Sequence, residues 1–313
     1  MKFMLDLNKY IERIKAGEVV AFPTETVYGL GADAWNPSAI KEVFRTKGRP
    51  ADNPLIVHIS NVSQVRDLVA FIPDSAKKLM SAFWPGPLTI ILKKKPEVLD
   101  LITAGLDTVA IRMPDHSLAL ELISSTGPLV APSANKSGRP SPTKAEHVLS
   151  DFGSDFPVID GGATEVGLES TVIDLTSEYP TILRPGKIGR QEIESVLDVA
   201  VQDSTSISLN EAPKSPGQKY SHYKPKAVVI YSTMEEIKED TLYLLQSKTD
   251  MVSSNIICYN GDLQLLSKEL YDRFREADHL GYKTVQIEPL EAYIDKFPSY
   301  YEALKNRISR TLT

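Results

Sequence analysis

Two loops carry the residue types that can hold a polyanion. Lys47-Gly-Arg49-Pro50-Ala-Asp-Asn53-Pro54 sets two cations one residue apart on a proline-stiffened segment, and it runs directly into the apolar stretch 55–59 that carries His58. Prolines reduce the entropy lost on ordering such a loop, and a following strand fixes where His58 points. Lys47 and Arg49 can therefore face one anion. The segment 129–141, Leu-Val-Ala131-Pro-Ser133-Ala-Asn135-Lys-Ser-Gly-Arg-Pro-Ser141, again leads an apolar run into hydroxyl and amide donors. Ligands collect at strand ends in α/β sheets. Cations with short directional donors suit phosphate chemistry, where the protein mostly positions and neutralises charge and needs no nucleophile of its own. A third segment, Pro23-Thr24-Glu25-Thr26-Val-Tyr-Gly29-Leu-Gly31, offers two hydroxyls to a small polar ligand, with Gly29 and Gly31 letting backbone amides approach it. The chain contains neither a dinucleotide fingerprint nor a Walker A pattern.

The elements that must position these loops follow from pattern and punctuation. Leu7, Tyr10, Ile11 and Ile14 recur at helical spacing before Gly17, and a strand is expected at 19–22. Asn36-Pro37 is an N-cap and first-turn pair for a helix burying Ile40, Val43 and Phe44 and ending at the Lys47 loop. Further helices are expected at 62–70 and 74–84, the second stopped by Pro85-Gly86-Pro87, with strands at 88–92 and 109–113. Arg112 interrupts the latter strand. A buried guanidinium needs either a structural carboxylate or a ligand anion, and both remain open. Thr143-Lys-Ala-Glu146 reads as a capping box that would set Ser133, Asn135 and Ser141 near a helix N-terminus. Ser170-Thr171 opens another strand, and 181–184 ends on Arg184 before Pro185-Gly186. At least seven short strands alternating with helices, some with connections too short for crossovers, predict an α/β domain on a mixed sheet over 1–200.

Residues 201–226 shift to Ser, Pro, Lys and Gln and read as a linker, though Tyr220 and Tyr223 make it aromatic enough to pin against a domain. Beyond it, strands at 228–231, 255–259 and 284–287 alternate with helical runs at 234–246 and 263–280, predicting a small Rossmann-like domain over 227–313 with Cys258 buried in its core. Apolar residues make up 42% and charged residues 24% of the 313, ordinary globular values. A lone cysteine excludes a disulfide framework or multi-cysteine metal site within the chain, and the cytoplasm is the expected compartment. No apolar run approaches the roughly 20 residues of a membrane span. A net charge of −6 argues against a nucleic-acid-coating protein.

Lys47-x-Arg49 and Ser133-x-Asn135, joined by the 23–31 segment, resemble the motifs of the YrdC-like threonylcarbamoyl-AMP synthase family, in its long two-domain form. The resemblance implies an N-terminal YrdC-like twisted mixed sheet with helices and a nucleotidyltransferase that converts L-threonine, bicarbonate and ATP to threonylcarbamoyl-AMP and pyrophosphate. Mg2+ would arrive with ATP, with no metal site of the protein's own. Lys47 and Arg49 are then the catalytic cations. Arg49, Asn53, Thr108, Ser133, Asn135, Ser141, Arg184 and Tyr220 would bind ATP, and Thr26, His58, Arg112, Ala131 and Ser170 would bind threonine. The 201–226 linker would act as a lid, with Tyr220 on the nucleotide. The product would serve threonylcarbamoyladenosine formation in tRNA, so downstream tRNA-modification proteins are the implied partners and direct RNA contact is left open. The rivals are an RNA-binding module without turnover, which the acidic charge disfavours, a carbamoyl-phosphate-consuming relative, and a pure scaffold.

Overall fold

Short runs rich in Val, Ile, Leu and Phe build most strands of the larger sheet. The computed structural model describes residues 6–203, 222–249 and 253–312. Strands β1 (Val20–Phe22), β2 (Gly29–Asp33), β3 (Ile56–His58), β4 (Leu88–Lys93), β5 (Thr108–Arg112), β6 (Leu129–Val130), β7 (Thr171–Asp174), β8 (Thr181–Arg184) and β9 (Gln202–Asp203) form one sheet in the order β1-β2-β6-β3-β5-β4-β7-β8-β9. The pairs β3–β5, β4–β7 and β8–β9 are parallel and the rest antiparallel, so the sheet is mixed.

Strand alternation decides what each face does. Val57, Ile90, Val109, Ile111 and Ile173 point into the main core, where they meet Ile40, Val43 and Leu79 from helices Pro37–Lys47 and Asp74–Phe83. Val20, Phe22 and Leu129 face the other way, against Ile11, Ile14 and Leu122 of helices Asn8–Lys15 and Ser117–Thr126. Ile56, Ile91, Ala110 and Val172 form a small apolar floor on the face away from the main core. His58 and Arg112, two residues beyond Ile56 and Ala110, share that face.

Asn36 caps its helix as expected, accepting from the Ser38 and Ala39 amides, and Gly48 ends it in the left-handed conformation at φ 61°. Three local expectations are corrected. Residues 62–70 make only a 3-10 turn, Val62–Gln64, and one helical turn, Val65–Leu68, because Val69 and Ala70 are drawn into pairing with Lys94 and Lys93. The box at Thr143 does not form: helix Ala145–Phe152 has Lys144 at its N-cap, and the Thr143 amide donates to His147 Nδ1 at 3.2 Å. Gly31 leaves room for a ring rather than a ligand, since a Cβ there would stand 2.7 Å from Phe22.

In the C-terminal part, β10 (Val228–Tyr231), β11 (Thr241–Leu245), β12 (Ile256–Cys258) and β13 (Thr284–Ile287) form a parallel sheet in the order β10-β13-β11-β12. Strand β11 replaces the helical run expected at 234–246: it lies between two neighbours with all five residues buried, where a helix has no place. Cys258 is only partly buried, at the sheet edge. Helices Leu263–Leu280 and Pro298–Leu312 share a core with this sheet that also takes in Val27 and Leu168 of the larger domain. Polar contacts fasten the two parts. Arg275 forms a bidentate pair with Asp151 at 3.0 and 3.1 Å, and Asp272 lies 2.9 Å from Lys144 and 3.0 Å from His147. Among the described residues no helix is long and apolar enough to cross a membrane.

Candidate active site

The parallel register of β3 and β5 sets His58 beside Arg112 at the C-terminal ends of both strands. Arg112 is 4% exposed and finds the structural carboxylate that its burial called for. Its Nη2 lies 2.6 Å from a Glu25 oxygen, close enough for an ion pair although not aligned as a hydrogen bond. Nη1 donates to Thr26 Oγ1 at 2.8 Å and Nε to the Gly86 carbonyl at 3.3 Å. Thr24 and Thr26 hydroxyls meet at 2.8 Å. His58 stacks edge-on against Phe22 and is pushed down to about 3 by burial and then by Arg112, so the imidazole is neutral.

The opposite wall is built from β7 and β8. Arg184 donates from Nε to the Ser170 carbonyl and from Nη2 to Ser170 Oγ, both at 3.0 Å, which directs the Ser170 hydroxyl onto Thr89 Oγ1 at 2.8 Å. Glu169, beside Ser170, accepts from Ser141 Oγ at 2.6 Å, from the Tyr271 hydroxyl at 3.0 Å and from Arg307 Nε at 2.9 Å. Burial would raise this carboxyl, but Arg307, then Arg184 and the Ser141 hydrogen bond, hold it below the usual carboxylate range.

A cavity of about 60 Å³ gathers Thr26, Arg49, His58, Arg112, Ala131, Ser133, Ser170 and Arg184, together with Thr24, Glu169, His222 and Tyr223. Three guanidinium groups from three separate segments thus converge on one polar hollow. Lys47 does not line it: the last residue of its helix, it is 3% exposed and donates from Nζ to the Ser133 and Asn135 carbonyls at 2.5 and 2.6 Å. Burial, then Arg49, lowers this amine well below the usual lysine range. The Lys47 and Ser133 loops are thereby joined. Arg49 donates to the Asn53 and Pro54 carbonyls. Ser141 Oγ is committed to Glu169, and Asn135 Nδ2 to the Lys136 and Arg139 carbonyls, and among the described residues Asn135 Oδ1 and Asn53 Oδ1 are buried without a hydrogen-bond partner.

Thr108 starts β5, four residues before Arg112, and the Asn53-Pro54 turn precedes β3 at the same end. At about 3.3 Å per residue the two ends of the strand pair lie roughly 13 Å apart. Asn53 and Thr108 therefore stand at the opposite end of the strand pair from His58 and Arg112, outside the cavity lining and with the apolar floor of Ile56 and Ala110 between. Tyr220 lies outside the described residues.

Sequence reasoning missed Glu25, Glu169 and His222. Glu25 lies inside the 23–31 segment and Glu169 directly before Ser170, so proximity was their only signal. His222 is half-buried and pushed down to about 3, chiefly by desolvation. Its neighbour Tyr223 stacks on Tyr271 with ring centroids 5.3 Å apart.

Residues 12–186 match a family model described as "Telomere recombination", and residues 188–311 match one described as "Threonylcarbamoyl-AMP synthase, C-terminal domain". A threonylcarbamoyl-AMP synthase of Bacillus subtilis is 55% identical over 217 residues, covering 68% of this chain and 63% of its own length. One from Pyrococcus abyssi is 43% identical over 295 residues, covering 89% of this chain and 87% of its own. The crystal structure of P. abyssi Sua5 complexed with L-threonine superposes with a TM-score of 0.87 at 39% identity, covering 97% of this chain and 93% of that one. With a mixed α/β sheet, a second parallel-sheet domain and matches spanning both, the chain belongs to the threonylcarbamoyl-AMP synthase family.

Proposed function

We propose that the chain is a cytoplasmic nucleotidyltransferase that makes threonylcarbamoyl-AMP and pyrophosphate from L-threonine, bicarbonate and ATP carrying Mg2+, for threonylcarbamoyladenosine formation in tRNA. The observation that carries this reading is the convergence of Arg112, His58 and Thr26 with Arg49, Ser133 and Arg184 on one hollow, cations and short donors that suit an amino-acid carboxylate beside a polyphosphate. A relative crystallised with L-threonine supports the first substrate.

In this reading Arg112 pairs with the threonine carboxylate, while Thr26, Ser170, the Ala131 backbone and neutral His58 bind its amine and hydroxyl. The amine nitrogen attacks the bicarbonate carbon, water leaves, and a carbamate results. A carbamate oxygen then attacks the α-phosphorus of ATP as the bond to pyrophosphate breaks. No protein nucleophile is required. Lys47 and Arg49 neutralise the phosphates, with Ser133, Asn135, Ser141 and Arg184 as directional groups and Asn53, Thr108 and Tyr220 toward the nucleoside. Lys47 also ties down the Ser133 and Asn135 carbonyls, and so holds the loop that meets the phosphates. The mixed anhydride product is hydrolysable, which suits transfer to tRNA-modification proteins.

The test is pyrophosphate release by the purified chain with ATP, Mg2+ and bicarbonate, comparing L-threonine, L-serine and no amino acid. Release is expected to require both threonine and bicarbonate and to fall sharply in Lys47→Ala. Threonine-independent release, or none from folded protein, would overturn the assignment.

A further inference from the structure

Among the described residues, Glu169 is the one carboxylate lining the cavity. A buried negative charge beside a triphosphate site opposes the ligand unless something compensates it. Arg184, in the same domain and lining the same cavity, donates to Ser170 rather than to Glu169. The donors to the second Glu169 oxygen come from the C-terminal domain: Tyr271 on helix Leu263–Leu280 and Arg307 on helix Pro298–Leu312. Arg307 is fully buried and held in place by the Pro185 carbonyl at 2.9 Å, with the Tyr223 ring centroid 5.6 Å from its guanidinium carbon. Docking of the two domains does not depend on this contact, since Arg275–Asp151 and Lys144–Asp272 fasten them elsewhere.

We propose that Arg307 is a positioning residue for the nucleotide: it neutralises Glu169 and so lets Arg49, Ser133 and Arg184, which line the same cavity, hold the ATP phosphates. The C-terminal domain thereby completes the electrostatics of a site whose ligand-binding groups lie mostly in the other domain. Without the guanidinium, the Glu169 carboxylate keeps two neutral hydroxyl donors and the more weakly acting charge of Arg184. ATP affinity falls, while the Arg112 end, which Arg307 does not touch, keeps its threonine affinity.

This inference rests on the adenylating reading, and the experiment separates the two. KM for ATP and for threonine are measured by pyrophosphate release in the unmodified chain, Arg307→Met, Arg307→Lys, Glu169→Gln/Arg307→Met and Tyr271→Phe, with ATP affinity measured in parallel by equilibrium dialysis. Arg307→Met is expected to raise the ATP KM about tenfold or more, the scale of breaking one partner of a buried charge pair, and to leave the threonine KM unchanged. Glu169→Gln in that background is expected to restore most of the ATP affinity, and Arg307→Lys part of it. A rise in both KM values together, or a double variant no better than Arg307→Met, would overturn the proposal. If Arg307→Met does not fold, Tyr271→Phe decides: a selective rise in the ATP KM supports the inference and an unchanged one overturns it. If the unmodified chain binds ATP but releases no pyrophosphate, the synthase reading fails, and the dialysis values alone settle the role of Arg307.

Discussion

Replacing Arg112 separates a structural task from a binding task. Its side chain is 5% exposed, that of Glu25 6%, and their charged atoms stand 2.6 Å apart. Among the described residues neither Glu25 carboxylate oxygen has a hydrogen bond, so Arg112→Met leaves a buried charge without its partner. Breaking one side of a buried pair costs about 3–5 kcal/mol. For a domain of this size each kcal/mol moves the melting midpoint by about 2–4 °C, so a loss on the order of 10 °C is expected. Glu25→Gln/Arg112→Met removes both charges and is expected to regain most of that loss, since replacing a whole buried pair is often close to neutral. Threonine-dependent pyrophosphate release, by contrast, stays lost in both variants, because the substrate carboxylate lacks its Arg112 partner in either. The assay pairs thermal unfolding with pyrophosphate release across a threonine titration. An unchanged melting point in Arg112→Met would refute the structural argument, and recovery of threonine dependence in the double variant would refute the binding argument.

Two further perturbations follow from the same geometry. His58 is held neutral in the folded chain with a pKa pushed down to about 3 from 6.5, so below pH 6.5 the unfolded chain binds a proton that the folded chain does not. Stability is therefore lost as pH falls through that window, at about 1.4 kcal/mol per pH unit for one proton. His58→Gln is expected to flatten urea-unfolding stability against pH by up to that slope, and an unchanged slope would contradict neutral burial. Gly31→Ala sets a Cβ 2.7 Å from the Phe22 ring, an overpacking that should lower stability by about 1–3 kcal/mol and show as a lower urea midpoint. An unchanged midpoint would show that Phe22 can move aside.

Much of this was legible because it is local. Apolar runs between prolines and glycines marked most strands of the larger sheet, and Asn36-Pro37 marked a helix start whose cap bonds reach only two and three residues on. The loops at Lys47 and Ser133 were recognisable from adjacent residue types. Local pattern failed where packing chose between equally apolar alternatives. The run at 234–246 had the composition of a helix and became β11, because its position between β13 and β12 buries every residue of the strand. The 62–70 run lost its second half to backbone pairing with β4 and its extension.

By itself, the sequence determined the residue types of the site, the segments that carry them and the alternation that sets His58 and Arg112 on one sheet face. Tertiary structure alone decided which charge meets which: that Arg112 answers to Glu25, that Lys47 is spent on backbone carbonyls, and that Glu169 is held by Arg307 from 138 positions away. Helix and strand patterns are written by residues a few positions apart. Compensation of a buried charge depends on through-space distance in a low-dielectric interior, and only the folded chain sets that distance.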